Sequence, residues 1–169
     1  MVLRVPRAAD GAAIADLIAA CPPLDTNSTY CNLLQCTHFA GTCVLAELEG
    51  RPVGWISAYR PPSDPHEIFV WQVAVHESAR GLGLGGRMLD ALLARPGSRG
   101  ATTLTTTITD DNAASWALFT AFARRHQARL DRRPIFDRDA HFAGRHATEH
   151  LVSVSPLPAG ADPSPREKT

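Results

Sequence analysis

The chain has 169 residues, of which 44% are apolar and 20% charged, as in ordinary globular domains, so we expect one folded domain. Its 17 Lys and Arg residues balance 17 Asp and Glu residues, which argues against nucleic acid or an anionic membrane as the partner and favours a small molecule. No apolar run approaches the roughly 20 residues of a membrane span, and residues 1–7 lack a signal-peptide stretch, so we expect a cytoplasmic protein.

The first half of the chain predicts two helices and four strands. Strands are predicted at 2–5, 42–48, 52–59 and 67–75, and helices at 10–20 and around 33–37. Asp10 is the expected cap of the first helix. The connection Glu49-Gly50-Arg51 is short and contains glycine, which favours an antiparallel hairpin. Between the two helices, residues 24–30 are dense in turn-forming side chains and indicate a polar loop.

The second half alternates between strand and helix. A helix is predicted at 84–93, a strand at 101–108, a helix capped by Asp110 or Asp111, and strands at 129–136 and 149–154. This alternation implies a parallel pair of strands. The segment from Pro156 is rich in proline and charge, so we predict one domain over 1–155 and a disordered tail over 156–169.

The cysteines and histidines do not suggest a metal site. Cys21, Cys31, Cys36 and Cys43 form no C-x-x-C pair and no metal-type spacing with histidine, so we expect reduced thiols and no bound metal.

A glycine-rich turn joins the predicted strand 67–75 to the helix 84–93. Gly81, Gly83 and Gly85 let backbone N–H groups approach an anion at a helix N-terminus, which favours a pyrophosphate. The third glycine comes too early for a dinucleotide-binding fingerprint, and no G-K-S or G-K-T step of a P-loop is present. A glycine-rich connection without a ligand is the alternative.

The pattern Arg80-x-x-Gly83-x-Gly85 after Val73-Ala74-Val75 resembles the coenzyme A motif of the GNAT acetyltransferases. The resemblance implies an α/β fold with a mixed central sheet, antiparallel N-terminal strands, a splayed parallel pair and helices on both faces. It also implies acetyl-CoA as co-substrate. The segment 110–119 resembles the second signature of that family, in which an asparagine at the helix start, here Asn112, faces the cofactor. The cofactor-binding residues implied are Val73, Val75, Arg80, Gly81, Gly83, Gly85, Asn112 and Ser115.

One position departs from the common GNAT pattern. Phe119 stands where many members carry a tyrosine proposed to protonate the departing thiolate. Either the thiolate leaves without a positioned acid, or another group such as Tyr30 or a water supplies the proton.

Within the superfamily, the segments 24–39 and 69–75 resemble the diaminobutyrate acetyltransferases of ectoine synthesis, and this resemblance extends over about 5–156. It implies a diamino acid substrate, acetylated at its γ-amine, and a homodimer. The candidate substrate residues are Asp25, Asn27, Tyr30, Trp71, Gln72, His146 and Glu149.

The chemistry of these side chains suits a diamino acid. Asp25 can pair with an ammonium group, Asn27 and Tyr30 can bind a carboxylate or an amine, and Trp71 can present an aromatic face to a cation. Strand alternation predicts that Trp71 faces opposite to its two neighbours. Asp25 or Glu149 could accept the proton of the amine.

Each candidate also has a plain structural interpretation. Asp25 and Asn27 could be helix caps, Tyr30 and Trp71 core aromatics, and Glu149 a solvated strand residue. At the level of function, the alternatives are a GNAT enzyme acting on a polyamine, an aminoglycoside or a protein N-terminus, and a catalytically silent module that binds an acyl-CoA.

Overall fold

The computed structural model describes residues 1–157, which form one mixed sheet with helices on both of its faces, as predicted. The strands are β1 (Val2–Arg4), β2 (Val44–Leu48), β3 (Arg51–Tyr59), β4 (Glu67–Val75), β5 (Thr103–Thr109), β6 (Arg129–Phe136) and β7 (Glu149–Ser155). The helices are α1 (Gly11–Ala19), α2 (Thr29–Thr37), α3 (Leu84–Leu93) and α4 (Ala113–Arg125). The spatial order is β1-β2-β3-β4-β5-β7-β6.

Two apolar cores fill the two sides of the sheet. On one side, α3 and α4 bury Met88, Leu92 and Phe122 against the strands. On the other side, α1 buries Ile14 and Ile18 against β2, β3 and β4, and α2 packs on α1. On that side of the sheet, Thr107 of β5 and Glu149 and Leu151 of β7 are only partly buried.

The parallel pair predicted between β4 and β5 is confirmed, and it is short. The two strands are in register only from Glu67 opposite Thr103 to Phe69 opposite Thr105. Beyond that point β5 continues in register with β7, and β4 with β3. A wedge therefore opens between the second halves of β4 and β5.

A β-bulge interrupts β4 where the wedge begins. Ser57 of β3 lies opposite Gln72, whereas the next residue of β3, Ala58, lies opposite Val70, so Trp71 is the extra residue. Val70 packs in the core under α3 and α4, whereas Gln72 contacts the α1–α2 loop on the opposite side. The predicted alternation around Trp71 is wrong here, because an inserted residue shifts the strand's two-residue period.

Two predicted helix caps are also wrong. The Asp10 carboxylate does not cap α1; it pairs with Arg4 at 2.7 Å and accepts a hydrogen bond from the Arg7 N–H. Neither Asp110 nor Asp111 caps α4, because Asn112 occupies that position.

The predicted tail over 156–169 begins within the described residues. Leu157 is buried, and its N–H donates to the Thr102 carbonyl at 2.8 Å. The remainder of the predicted tail, 158–169, lies outside the described residues. Within 1–157, none of the helices is long and apolar enough to cross a membrane.

We predict that Asp10→Asn will destabilise the fold by about 1–2 kcal/mol at neutral pH, because it removes one partner of a partly buried ion pair. The Arg4 guanidinium lowers the pKa of Asp10 below its usual 3.8. The ion pair therefore stabilises the fold above the unfolded pKa and is lost as the pH falls through the lower folded pKa. Urea denaturation from pH 3 to pH 7 measures this difference.

Asp16→Asn is the matched control on α1, since Asp16 forms no ion pair within the described part of the chain. Its effect should stay within about 0.5 kcal/mol at every pH. A difference between Asp10→Asn and the wild type that does not shrink at acid pH would contradict the assignment.

Candidate active site

The wedge between β4 and β5 opens into a cleft of about 430 Å³. All eight predicted cofactor-binding residues line it: Val73, Val75, Arg80, Gly81, Gly83, Gly85, Asn112 and Ser115. They come from β4, the glycine-rich turn and the start of α4. The cleft thus brings together two sequence segments that lie about thirty residues apart.

The glycine-rich turn has the backbone that an anion site needs. Gly81 and Gly83 have φ values of 75° and 67°, a left-handed region that other residues rarely adopt. Gly83 is the N-cap of α3, and a side chain added there would meet open space. Free N–H groups at this helix start therefore point into the cleft.

The other two residues of the motif support the turn in different ways. Gly85 is already helical, and a Cβ atom there would approach Leu118 Cδ1 at 3.1 Å, so its small size serves the close packing of α3 on α4. Arg80 donates a hydrogen bond from Nε to the Val75 carbonyl at 3.1 Å. This bond ties the turn to the end of β4.

The start of α4 closes the opposite wall of the cleft. Asn112 Oδ1 accepts a hydrogen bond from the Ser115 N–H at 3.1 Å, so Asn112 caps the helix and lines the cleft at once. Leu118 lies one turn further along the same wall. Phe119, by contrast, is 2% exposed and belongs to the core under α3 and α4.

The α1–α2 loop meets β4 through a buried glutamine. Gln72 Nε2 donates to the Asp25 carbonyl at 2.7 Å, and Gln72 Oε1 accepts from Asn27 Nδ2 at 3.0 Å. Both ends of the Gln72 amide are thus engaged within the chain. The contacts place Gln72 as a support for the loop, and the Asp25 side chain lies exposed beside it.

Glu149 carries a partly buried carboxylate near Asp25. Its side chain is 19% exposed, and its Oε2 is buried without a hydrogen-bond partner among residues 1–157. Burial raises the pKa of Glu149 above its usual value, and the Asp25 charge adds to this, while a hydrogen bond from Thr107 and the charge of His146 oppose it. His146 Nε2 lies 3.9 Å from Glu149 Oε1.

The two aromatic candidates are exposed, so neither is a core residue. Trp71 is 48% exposed and packs edge-on against Tyr59, with ring centroids 6.5 Å apart. Tyr30 is 69% exposed and is not among the residues that line the cleft. The structure therefore gives no support to Tyr30 as the proton donor for a thiolate in the cleft.

The four cysteines are free thiols. Burial raises the pKa of Cys43 to about 12 and also raises the pKa of Cys31 above its usual value. A raised pKa keeps a thiol protonated at neutral pH.

The family model of the acetyltransferase (GNAT) family matches residues 12–123, which include both walls of the cleft. The chain belongs to the GNAT acetyltransferases. GNAT enzymes use acetyl-CoA, and the left-handed glycines, the free helix start and the open edge of β4 fit its pyrophosphate and its extended arm.

Several GNAT relatives that are named for their substrate resemble this chain over nearly its whole length. The L-2,4-diaminobutyric acid acetyltransferase of Methylotuvimicrobium alcaliphilum is 49% identical, over 94% of this chain and 92% of the relative. That of Vibrio cholerae is 48% identical, over 90% of this chain and 88% of the relative. Among solved structures, the diaminobutyrate acetyltransferase EctA from Paenibacillus lautus, in complex with its substrate L-2,4-diaminobutyric acid and coenzyme A, has a TM-score of 0.88 at 36% identity. The match covers 92% of this chain and 94% of the Paenibacillus lautus chain.

The sequence analysis missed one part of this GNAT cleft. Residues 21–24, at the end of α1, also line it. The sequence signal there was Cys21-Pro22-Pro23, which indicates the end of a helix but not what the following segment contacts.

We predict that Gly83→Val will weaken coenzyme A binding at least tenfold, because a branched side chain would occupy the space in front of the helix start and resist a φ of 67°. Isothermal titration calorimetry measures the effect.

Gly100→Val is the matched control, since Gly100 also has a left-handed φ, 78°, with open space around a Cβ atom, but does not line the cleft. It should lower stability to a similar extent and leave coenzyme A affinity within about twofold. Equal affinity in wild type and a folded Gly83→Val protein would refute the anion site.

Proposed function

We propose that this chain transfers the acetyl group of acetyl-CoA to the γ-amine of L-2,4-diaminobutyrate, the acetylation step of ectoine synthesis. The observation that carries the proposal is a pair of neighbouring carboxylates, Asp25 and Glu149, beside an acyl-CoA cleft. Asp25 directly follows the cleft-lining residues 21–24, and its charge contributes to the raised pKa of Glu149. The relatives described above are named for this substrate, and each of them matches at least 90% of this chain.

The charges of the acceptor side suit a diamino acid. Asp25 and Glu149 supply negative charge for two ammonium groups, and the exposed face of Trp71 suits a cation. The Glu149 Oε2 atom, buried and unpartnered among the described residues, offers a hydrogen-bond acceptor to an incoming amine. A substrate with one positive charge at each end would satisfy these groups together.

The reaction proceeds by direct attack. The ammonium group first loses a proton, and the lone pair of the free amine then attacks the thioester carbon. A C–N bond forms, the C–S bond breaks, and its electron pair leaves on the sulfur. The second amine proton passes through water to the thiolate, so that the products are N4-acetyl-diaminobutyrate and free coenzyme A. A backbone N–H of β4 near Val73 stabilises the transient oxyanion.

We assign the role of general base to Glu149 and that of ammonium ligand to Asp25. A carboxylate whose pKa is raised by burial takes up a proton near neutral pH more readily than an exposed one. Asp25 is exposed on the loop and keeps its charge available for the substrate. The coenzyme A thiolate needs no positioned acid, because a thiol of moderate pKa leaves as the anion at modest cost.

The oligomeric state, which the family resemblance implies, and the location in the cell also belong to the proposal. The protein is a homodimer, which sedimentation equilibrium would test. It acts in the cytoplasm, where acetyl-CoA is available, and fractionation of the producing cells would test that location.

The position of the acetyl group decides between this function and its rivals. NMR of the product should reveal acetylation of the γ-amine alone, because a pocket that holds the α-amine and carboxylate presents one nitrogen to the thioester. Faster turnover of a polyamine than of diaminobutyrate, or substantial N2-acetyl product, would contradict the substrate assignment. Absence of turnover with every amine would favour a silent acyl-CoA-binding module.

We predict that Glu149→Gln will lower kcat by about 10²-fold or more while coenzyme A affinity stays within about threefold. In the wild type, kcat should fall as the pH drops through the raised pKa of Glu149, because the protonated acid cannot accept a proton. This acid limb should be absent from Glu149→Gln. Measuring kcat between pH 5 and pH 9 provides the test.

Asp25→Asn is the matched variant at the second carboxylate. It should raise KM for diaminobutyrate about tenfold, through loss of a charge-assisted contact, and retain the acid limb of the wild type. If the limb disappears in Asp25→Asn and persists in Glu149→Gln, the two roles are reversed.

A further inference from the structure

The α1–α2 loop is shared by the two substrate sites. Residues 21–24 line the coenzyme A cleft, and the next residues, Asp25 and Asn27, lie on the acceptor side. Only the peptide bond between Leu24 and Asp25 separates the two regions. A displacement of the loop at either site is therefore transmitted directly to the other.

Gln72 holds this loop from the strand side. Its amide donates to the Asp25 carbonyl at 2.7 Å and accepts from Asn27 Nδ2 at 3.0 Å, and its side chain is 8% exposed. We call these two hydrogen bonds the Gln72 clamp. Because the next residue of β4, Val73, lines the cleft, the clamp connects the loop to the same strand that meets the cofactor.

The loop has little else to fix the position of Asp25. Asp25 and Thr26 are exposed, whereas Cys21 and Leu24, earlier in the loop, pack in or against the core under α1. Hydrogen bonds of this kind contribute about 0.5–1.5 kcal/mol each. Two such hydrogen bonds are enough to raise the ratio of ordered to loose loop conformations by roughly tenfold or more.

We infer that Gln72 is a positioning residue that couples the binding of the two substrates. Contact of acetyl-CoA with residues 21–24 restrains the loop, and the Gln72 clamp carries this restraint to Asp25, so the diamino acid meets an ordered site. By thermodynamic linkage, the diamino acid must favour coenzyme A binding by the same factor. This inference rests on the proposed acceptor and concerns how its site is assembled.

The coupling is measured without turnover by using coenzyme A in place of acetyl-CoA. Calorimetric titration of diaminobutyrate into the wild-type protein should give a Kd at least about fivefold lower when coenzyme A is saturating. The reverse titration, coenzyme A with and without saturating diaminobutyrate, should give the same factor.

Gln72→Leu removes both hydrogen bonds of the clamp and should reduce the coupling factor to below about twofold. Gln72→Glu keeps the acceptor for Asn27 and loses the donor to the Asp25 carbonyl, so an intermediate factor is expected. Ser57→Ala is the matched control, because Ser57 lies opposite Gln72 on β3, is 1% exposed, and has a hydroxyl without a partner among residues 1–157. Its coupling factor should equal that of the wild type.

The titrations distinguish a failure of the role of Gln72 from a failure of the proposed substrate. A wild-type coupling factor near one, or an unchanged factor in folded Gln72→Leu, overturns the role of Gln72. If Gln72→Leu does not melt cooperatively, Asn27→Ala, which removes one bond from the loop side, takes its place with the same expected loss. Diaminobutyrate that is neither bound nor acetylated by the wild type would instead refute the proposed substrate.

Discussion

The structure of this enzyme depends on the point at which β4 loses its pairing with β5. After Phe69 and Thr105 the two strands separate, so the edge of β4 that faces the wedge no longer has a neighbouring strand. Backbone N–H and C=O groups that are left without partners are costly inside a protein. The extended arm of an acyl-CoA can pair with such an edge, which makes the wedge a binding site built from main chain.

The bulge at Trp71 gives β4 a different role on each side of the sheet. Before the bulge, Val70 faces the core under α3 and α4, and after it Gln72 faces the α1–α2 loop. The strand therefore supports the acceptor loop on one side while Val73 and Val75 line the cofactor cleft. A regular strand would place Val70 and Gln72 on the same side, and the loop would lose its support.

The balance of charge over the whole chain conceals a local concentration of acid at the acceptor side. Lys and Arg equal Asp and Glu in number, yet Asp25 lies close enough to Glu149 for its charge to raise the pKa of Glu149. Burial raises the pKa of Glu149, and repulsion from the charge of Asp25 adds to the rise. A cationic substrate relieves that repulsion, so the same pair provides both affinity for an amine and a group that can take its proton.

The sequence determined the elements and the cofactor motif because these depend on neighbours along the chain. The predicted bounds of β4 and α3 match the structure, since an apolar strand run and a helical pattern are interrupted there by proline and glycine. The eight predicted cofactor-binding residues, all of which line the cleft, could be named because the glycine turn and Asn112 belong to local patterns of the GNAT family.

Only the tertiary structure determined which face of the sheet these residues occupy and which partners they contact. The bulge at Trp71 and the place of residues 21–24 in the cleft arise from contacts between distant segments. The use of Asp10 as the partner of Arg4 depends on how the chain turns between β1 and α1, although the two residues are only 6 positions apart. Hydrophobic periodicity and residue propensity describe one helix or strand at a time. They cannot reveal a bulge, because a bulge exists only in the pairing of one strand with its neighbour. The sequence predicted Gln72 as a ligand for the substrate, and only the tertiary structure revealed that its amide also hydrogen-bonds the α1–α2 loop.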